Sequence, residues 1–439
     1  MYCQNKIDFD LPDHLLNDLL LGNVAIFAGS GISTETKNVL PDTLYDSIAI
    51  DLGYKKRPYK PFPEIMAEYC SQPNGRIKLL SEIKKRFDNI RSFPDLYSNA
   101  TKFHRELATL PQIKTIITTN WDTYFEDECG AVPFINSEDF AFWDTDSRKV
   151  LKIHGSINKL GSLVATTADY KKSLKELHKG LLGSFLKSIL ATKTIIYIGY
   201  SFSDEDFKQI HSFINNEMKS LTRQAYIVTL DKAKSDKFRQ LNLIPIITDG
   251  TYFISVIKGH SVHKHKSLPD VLYDFAYYMY GMAIQANNKL YKEYDAAKNP
   301  GIIYCGYYQD GLAHAYERIM ALRNTGRYSC SCEFINTVEL YKKYIKEFRS
   351  KNRYLDVAYL EGYLYAHMQL LLLVELPDNR LPIPLFYAYG YGQVLNFKEY
   401  KKLIKKLPAF HKGAYSLVQR IVKRLNKDEK IVFHHPAHL

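Results

Sequence analysis

The sequence predicts an α/β fold: a Rossmann-like, mostly parallel sheet with a helical insertion, followed by a mainly helical C-terminal domain. Three observations carry this. Short apolar runs, each ended by a glycine or a polar residue, alternate with helical stretches up to about residue 255. Between residues 40 and 110 strand-like runs are few, and apolar positions recur at helical spacing. From Leu268 onward only helices and loops are legible, rich in tyrosine.

Taken in order, a short amphipathic helix around Leu15–Leu21 precedes Asn23–Ala28, a continuously apolar run that reads as a buried strand. Gly29-Ser30-Gly31-Ile32-Ser33 follows at once, where glycines permit a tight turn and free N–H groups can face an anion. The insertion, about 40–110, reads as helices over Ile65–Phe87 and Leu96–Leu110, with Pro41, Pro58, Pro61, Pro63 and Pro94 at its joints, and is expected to form a lid over a cleft. Further strands are expected at Thr115–Thr118, Val150–Ile153, Thr194–Ile198 and Ala225–Thr229, with Ile244–Ile247 at an edge, and helices at Lys171–Leu190 and Asp204–Lys219. Gly29, Asn120, His154 and Gly199 each lie just past a strand end, where ligands bind in such sheets.

The first domain is expected to span 1–265 and the second 266–439, joined by a polar linker at Gly259–Lys266. Its three histidines lack a nearby carboxylate or cysteine and are not read as a metal site. In the second domain Phe275, Tyr278, Met279 and Met282 are expected to form a core stripe, and a final helical pair is expected around Phe397–Leu407 and Tyr415–Leu425.

Of 439 residues, 59 are Lys or Arg and 47 Asp or Glu, a formal charge of +12. That balance permits acidic ligands or nucleic acid but specifies neither, and Lys398–Lys406 and Lys423–Lys430 read as solvated helix faces. The 6 cysteines form no disulfide framework, and Cys330-Ser331-Cys332 lacks the second pair a structural zinc needs. The longest apolar run, Leu370–Val374, is far short of a bilayer span, so a cytoplasmic protein away from the membrane is expected.

Taken singly, the candidate site residues have ordinary alternatives. The glycine loop lacks both the full G-x-G-x-x-G pattern and the Lys-Ser/Thr of a phosphate loop. Asn120 and Asp122 in Thr118-Thr119-Asn120-Trp121-Asp122 either hold a sugar hydroxyl or a water, or cap the next helix, which is the commoner use. His154, beside Gly155, titrates near neutrality and can face a cleft. In Gly199-Tyr200-Ser201-Phe202-Ser203-Asp204 a nucleotide contact and an N-cap are equally compatible.

Together these four elements resemble the sirtuin family, whose pattern is a G-A-G-x-S loop, T-Q-N-x-D, a catalytic histidine in an H-G pair, and a later G-x-S. The match covers about residues 15–255. The resemblance implies that Ala28, Gly29, Ser30, Gly31 and Ser33 cradle the phosphates of NAD+, and that Asn120 and Asp122 hold the nicotinamide ribose and the attacking water or hydroxyl. It implies His154 as general base toward the ribose hydroxyls and Gly199 and Ser201 as contacts on the adenosine side. Thr119 stands at the family's glutamine and is counted with the cofactor-binding positions.

The departures are specific. The paired C-x-x-C motifs that follow the histidine in family deacylases are replaced by Ser156–Ser162, so no zinc is expected and peptide deacylation is put in doubt. The family's P-D-F-R stretch is replaced by Thr36–Pro41. With Thr166-Thr167-Ala168-Asp169-Tyr170, the pattern looks like the zinc-less bacterial antiphage sirtuins. That branch implies hydrolysis of NAD+, as substrate, to nicotinamide and ADP-ribose, with NAD+ depletion arresting the infected cell. It also implies control by the C-terminal region or by a partner such as an ATPase or an Argonaute-like protein, released by a phage trigger the sequence does not name. A homo-oligomer is expected; direct nucleic-acid binding is not. The competing readings are an NAD-dependent deacylase or ADP-ribosyltransferase, and a non-catalytic NAD or ADP-ribose sensor.

Overall fold

The computed structural model describes residues 6–33, 39–200, 223–293, 295–323, 326–376 and 378–382, with 387, 402, 405–406, 408–424 and 433–437. Ser201 and the helix expected at Asp204–Lys219 lie outside them. The chain forms two compact units, one built on Met1–Lys266 and the other on Ser267–Arg323 and Arg327–Leu439.

In the first unit the strands are β1 (Val24–Ala28), β2 (Thr115–Thr118), β3 (Val132–Phe134), β4 (Lys149–Lys152), β5 (Thr194–Ile198), β6 (Ala225–Thr229) and β7 (Leu243–Ile247). All pair in parallel, in the order β3-β4-β2-β1-β5-β6-β7. The order reverses about β1, which pairs with β2 on one side (Ala28 opposite Thr118) and β5 on the other (Ala28 opposite Ile198). The strand order therefore switches direction at the centre of the sheet, where ligands bind in such folds.

Both faces of the sheet are covered, which is why β1 and β5 read as unbroken apolar runs. Ile26 and Ile196 pack on one face with Leu15 and Leu19 of α1 (Asp13–Leu21), Phe103 and Leu107 of α6 (Lys102–Ala108), Phe125 of α7 (Tyr124–Cys129) and Phe253 and Ile257 of α11 (Gly250–His263). Phe27 and Tyr197 point the other way, toward Leu177 of α8 (Thr167–Lys179), Leu186 and Ile189 of α9 (Leu181–Thr192) and Phe238 of α10 (Ser235–Gln240). Each fully buried side chain of this kind contributes about 1.5–3 kcal/mol.

The insertion has its own core. Ile48 of α2 (Leu44–Asp51), Ile65 and Met66 of α3 (Phe62–Cys70), and Leu79, Ile83 and Phe87 of α4 (Gly75–Ser92) bury one another, joined by Ala100 at the end of α5 (Pro94–Ala100). The separate part thus closes near residue 100 rather than 110, because Phe103 and Leu107 belong to the sheet's cover. The expected helix over Ile65–Phe87 is two helices, broken where Asn74 takes the left-handed conformation at φ 58°.

Two further expectations are corrected. β3 was not foreseen. The polar linker at Gly259–Lys266 is largely the last part of α11, whose N-cap Asp249 accepts from Thr251 and Tyr252 N–H and whose Ser261 is buried.

The second unit is helical: α12 (Val271–Glu293), α13 (Gly301–Arg323), α14 (Ser331–Ser350), α15 (Tyr354–Glu375) and α16 (Ala409–Lys423). α13 and α15 cross closely where a Cβ on Gly311 would stand 2.0 Å from the Tyr359 carbonyl, and one on Gly362 2.0 Å from that of Tyr308. The two backbones meet because neither glycine has a side chain. Tyrosines fill the core in stacked pairs, Tyr308 with Tyr387 at 4.2 Å and Tyr341 with Tyr363 at 4.4 Å. The expected stripe of α12 holds in part: Phe275 and Met279 are partly buried against the core, whose centre is Leu272, Tyr273, Ala276, Ala283 and Leu290, whereas Tyr278 is 61 % exposed. α15 is long and apolar enough to cross a membrane by length and composition, longer than the apolar run read from sequence, and Val357 to Leu370 supply much of this core. Cys330 and Cys332 are paired as a disulfide, which the sequence reading did not anticipate.

Candidate functional site

Four strand ends, those of β1, β2, β4 and β5, build the site. Gly29 N–H donates to the Ile198 carbonyl and Gly31 N–H to the Gly199 carbonyl, each at 3.0 Å, so the loops after β1 and β5 are laced together. A Cβ on Gly29 would come within 2.4 Å of the Gly199 carbonyl, and Gly199 itself sits at φ 62°. Only glycine fits this close approach at both partners.

The loop after β2 is tied to the same place. Thr118 Oγ1 donates to the Ala28 carbonyl at 2.9 Å and accepts from Asn120 N–H at 3.0 Å. Asn120 Nδ2 donates to the Gly29 carbonyl at 3.2 Å, while Asn120 Oδ1 is buried without a hydrogen-bond partner among the described residues. An orphaned acceptor of this kind costs about 1–3 kcal/mol, which a donor on a ligand would recover.

Asp122 is buried; it accepts from Tyr124 N–H at 3.2 Å, ahead of α7, and from Ser33 Oγ at 3.3 Å. Asp122 therefore braces the helix start as well as facing the site, and Asn120 does not cap. Burial pushes the Asp122 carboxyl above the usual range, and the Lys152 ammonium opposes that shift. Lys152, at the end of β4, is wholly buried; its Nζ donates to the Asp122 carbonyl and pairs with Glu126 Oε1 at 3.0 Å. Glu126 is likewise pushed up by burial and held down by Lys152.

His154, two residues past β4, is 5 % exposed, with its ring 5.0 Å from that of Tyr170 on α8. Gly155 follows at φ 81°, where a Cβ would stand 2.2 Å from the Ser162 carbonyl, so the chain turns away and leaves the imidazole at the cavity wall.

Gly29, Ser30, Gly31, Thr119, Asn120, Asp122, His154 and Gly199 line one cavity of about 1130 Å³. Ala28 is a fully buried strand residue and Ser33 is buried against Asp122; neither lines it. The opposite wall comes from the insertion, including Tyr45, Arg57, Tyr59, Phe62 and Arg86. The insertion is expected from sequence as a lid over the cleft, but the individual residues of this wall, and Lys152 with Glu126, carry no assigned role there. The lysine stands close to His154 in sequence, but its partner lies 26 residues away and only the fold brings them together. Among the described residues no group of three or more His, Cys, Asp or Glu is placed to hold a metal.

A doubly covered parallel sheet whose β1, β2, β4 and β5 loops converge on one cavity places these side chains where ligands bind in such sheets. The family model described as SIR2-like domain matches residues 114–246, within the first unit. Among curated proteins, the chain is similar to NAD(+) hydrolase ThsA of Enterococcus faecium, 30% identical over 213 residues, 47% of this chain and 43% of that one. It is similar to NAD(+) hydrolase ThsA of Bacillus cereus (strain MSX-D12), 27% identical over 214 residues, 46% of this chain and 42% of the relative. Defense-associated sirtuin 2 of Bacillus subtilis is 26% identical over 219 residues, 48% of this chain and 21% of its own length. The chain thus spans about half the length of these relatives or less.

Proposed function

We propose that this protein hydrolyses NAD+. The observation that carries the reading is Asn120 Oδ1, a buried acceptor without a partner, on a residue that lines the same cavity as Asp122, His154 and the glycine loops. A ribose hydroxyl is the donor this acceptor fits, and the lack of side chains at Gly29 and Gly31 leaves room for a pyrophosphate to approach the loop.

In this mechanism the bond between ribose C1′ and nicotinamide nitrogen breaks, and the nitrogen keeps the electron pair. The ribose becomes oxocarbenium-like, and water adds its oxygen to C1′ and releases one proton. Asn120 and Asp122 fix the ribose and the water. His154 accepts a proton from a ribose hydroxyl or from the water, general-base help worth about 10²–10⁴-fold. The products are nicotinamide, ADP-ribose and H+. The names NAD(+) hydrolase and Defense-associated sirtuin 2 among the relatives support extending the proposal to a defence effector, for which we propose phage infection as the trigger and the cytoplasmic NAD+ pool as the target. We further propose that it works as a homo-oligomer or with a defence partner that restrains it.

Mass-spectrometric analysis of NAD+ incubated with the full chain, alone and with lysate of phage-infected cells, tests the reading. Free nicotinamide and ADP-ribose, absent with His154→Ala, are expected. Intact NAD+ under every condition, or an acceptor carrying ADP-ribose, overturns it.

A further inference from the structure

The insertion's wall of the cavity holds a loop that the proposed mechanism leaves unused. Between α2 and α3 the chain reads Lys55-Lys56-Arg57-Pro58-Tyr59-Lys60-Pro61. The loop is pinned from several sides. Tyr45 Oη bridges the Pro58 and Lys60 carbonyls, 2.8 Å from each. Lys60 Nζ meets Glu68 at 2.8 Å and Tyr54 Oη at 2.9 Å. Arg57 lies 4.6 Å over the Tyr45 ring and 3.4 Å from Asp46, with its side chain 64 % exposed.

On this rigid base the ring of Tyr59 is fully exposed (108 %). It is the one exposed large apolar side chain, among the described residues, that also lines the cavity. An aromatic face held in water at the mouth of a concave site is an unfilled stacking surface. Two of the loop's cations, Arg57 and Lys60, line the cavity beside this ring, paired with Asp46 and Glu68, and Arg57 keeps most of its side chain exposed. Aromatic faces interleaved with cations suit a flat heterocycle attached to a phosphate.

We propose that the 55–60 loop is a ring-and-phosphate clamp, in which Tyr59 stacks on a heterocycle of a nucleotide in the cavity and Arg57 meets its phosphate. The inference rests on the reading of the cavity as a dinucleotide site and adds a specificity element to it. Adenine and nicotinamide are the two rings NAD+ offers, and stacking is the chemistry they share.

The test is steady-state turnover of NAD+ by the full chain as wild type, Tyr59→Ala and Tyr59→Trp, with calorimetric binding of ADP-ribose and of nicotinamide to each. Tyr59→Ala should raise KM about ten-fold with kcat within two-fold, and Tyr59→Trp should restore KM, as expected for a lost stacking face. Loss of ADP-ribose affinity in Tyr59→Ala assigns the adenine; loss of nicotinamide affinity alone assigns the nicotinamide. A KM and both affinities within two-fold of wild type in Tyr59→Ala overturn the clamp while the hydrolase reading stands. If the wild type binds ADP-ribose without cleaving NAD+, hydrolysis fails and the affinities alone decide the clamp. If it neither cleaves NAD+ nor binds either fragment, both fall.

Discussion

Asn120 in the first unit and Asp310 in the second are both buried polar residues at the centre of their units, yet their bonding differs. Asn120 lines a cavity and keeps one acceptor without a partner. Asp310 is enclosed: Oδ1 accepts from Asn287 Nδ2 at 2.7 Å and lies 3.1 Å from His434 Nδ1, and Oδ2 accepts from His435 N–H at 2.7 Å. The glycines repeat the contrast. Gly29, Gly31 and Gly199 let loops meet beside an open space, whereas Gly311 and Gly362 let two helices close on each other. The same residue types thus frame a ligand site in one unit and seal a core in the other. An open acceptor is not by itself a site, since Asn287 Oδ1 beside Asp310 also lacks a partner among the described residues; what sets Asn120 apart is the cavity it lines.

That contrast can be broken by substitution. Gly311→Ala should have the largest effect, because the added methyl meets backbone rather than a movable side chain. A loss of about 3 kcal/mol or more is expected from overpacking. It would appear in thermal unfolding and in faster hydrogen exchange of α13 and α15, and wild-type exchange there would refute the crossing.

Asn120→Ala should do the reverse, leaving unfolding unchanged while NAD+ turnover falls about 100-fold, the usual cost of removing one aimed hydrogen-bonding group. Turnover within five-fold of wild type would show that the orphan oxygen is not used.

The smallest effect is expected from acid. Burial holds His367 of α15 neutral and lowers its pKa from 6.5 to about 4, opposed by the Tyr363 carbonyl and aided by Arg318. With the folded value below the unfolded one, this stability is complete above pH 6.5 and is lost as pH falls toward 4. About 2 kcal/mol should disappear between pH 7 and 5. Hydrogen exchange of α15 at the two pH values measures it, and His367→Gln should flatten the difference. An equal pH response in the variant would assign the lability elsewhere.

Six of the seven strands were legible because each is a run of apolar residues stopped by glycine or a polar residue. β3 was not, since Val-Pro-Phe is short and its proline argues against a strand. The end of α11 was misread because its buried face, Phe253, Ile254 and Ile257, lies upstream of the polar residues that looked like a linker. In α12 Phe275 and Met279 of the expected stripe meet the core but Tyr278 does not: adjacent stripes of a tyrosine-rich helix are nearly equivalent in sequence, and packing against the rest of the core chooses between them. In the site, the glycines, Asn120, Asp122 and His154 were visible at strand ends. Lys152 with Glu126, and Tyr59 on its loop, depend on contacts or exposure that no local pattern encodes.

The sheet's two outer strands each carry a proline, Pro133 in β3 and Pro245 in β7. An edge strand that lacks an N–H at its middle is a poor template for another chain's backbone. An all-parallel sheet of hydrophobic strands is otherwise an invitation to edge-to-edge growth, and here both margins are blunted. Copies of this chain that gather in solution would therefore have to join through helices or loops, so that each sheet stays seven strands wide however many molecules assemble.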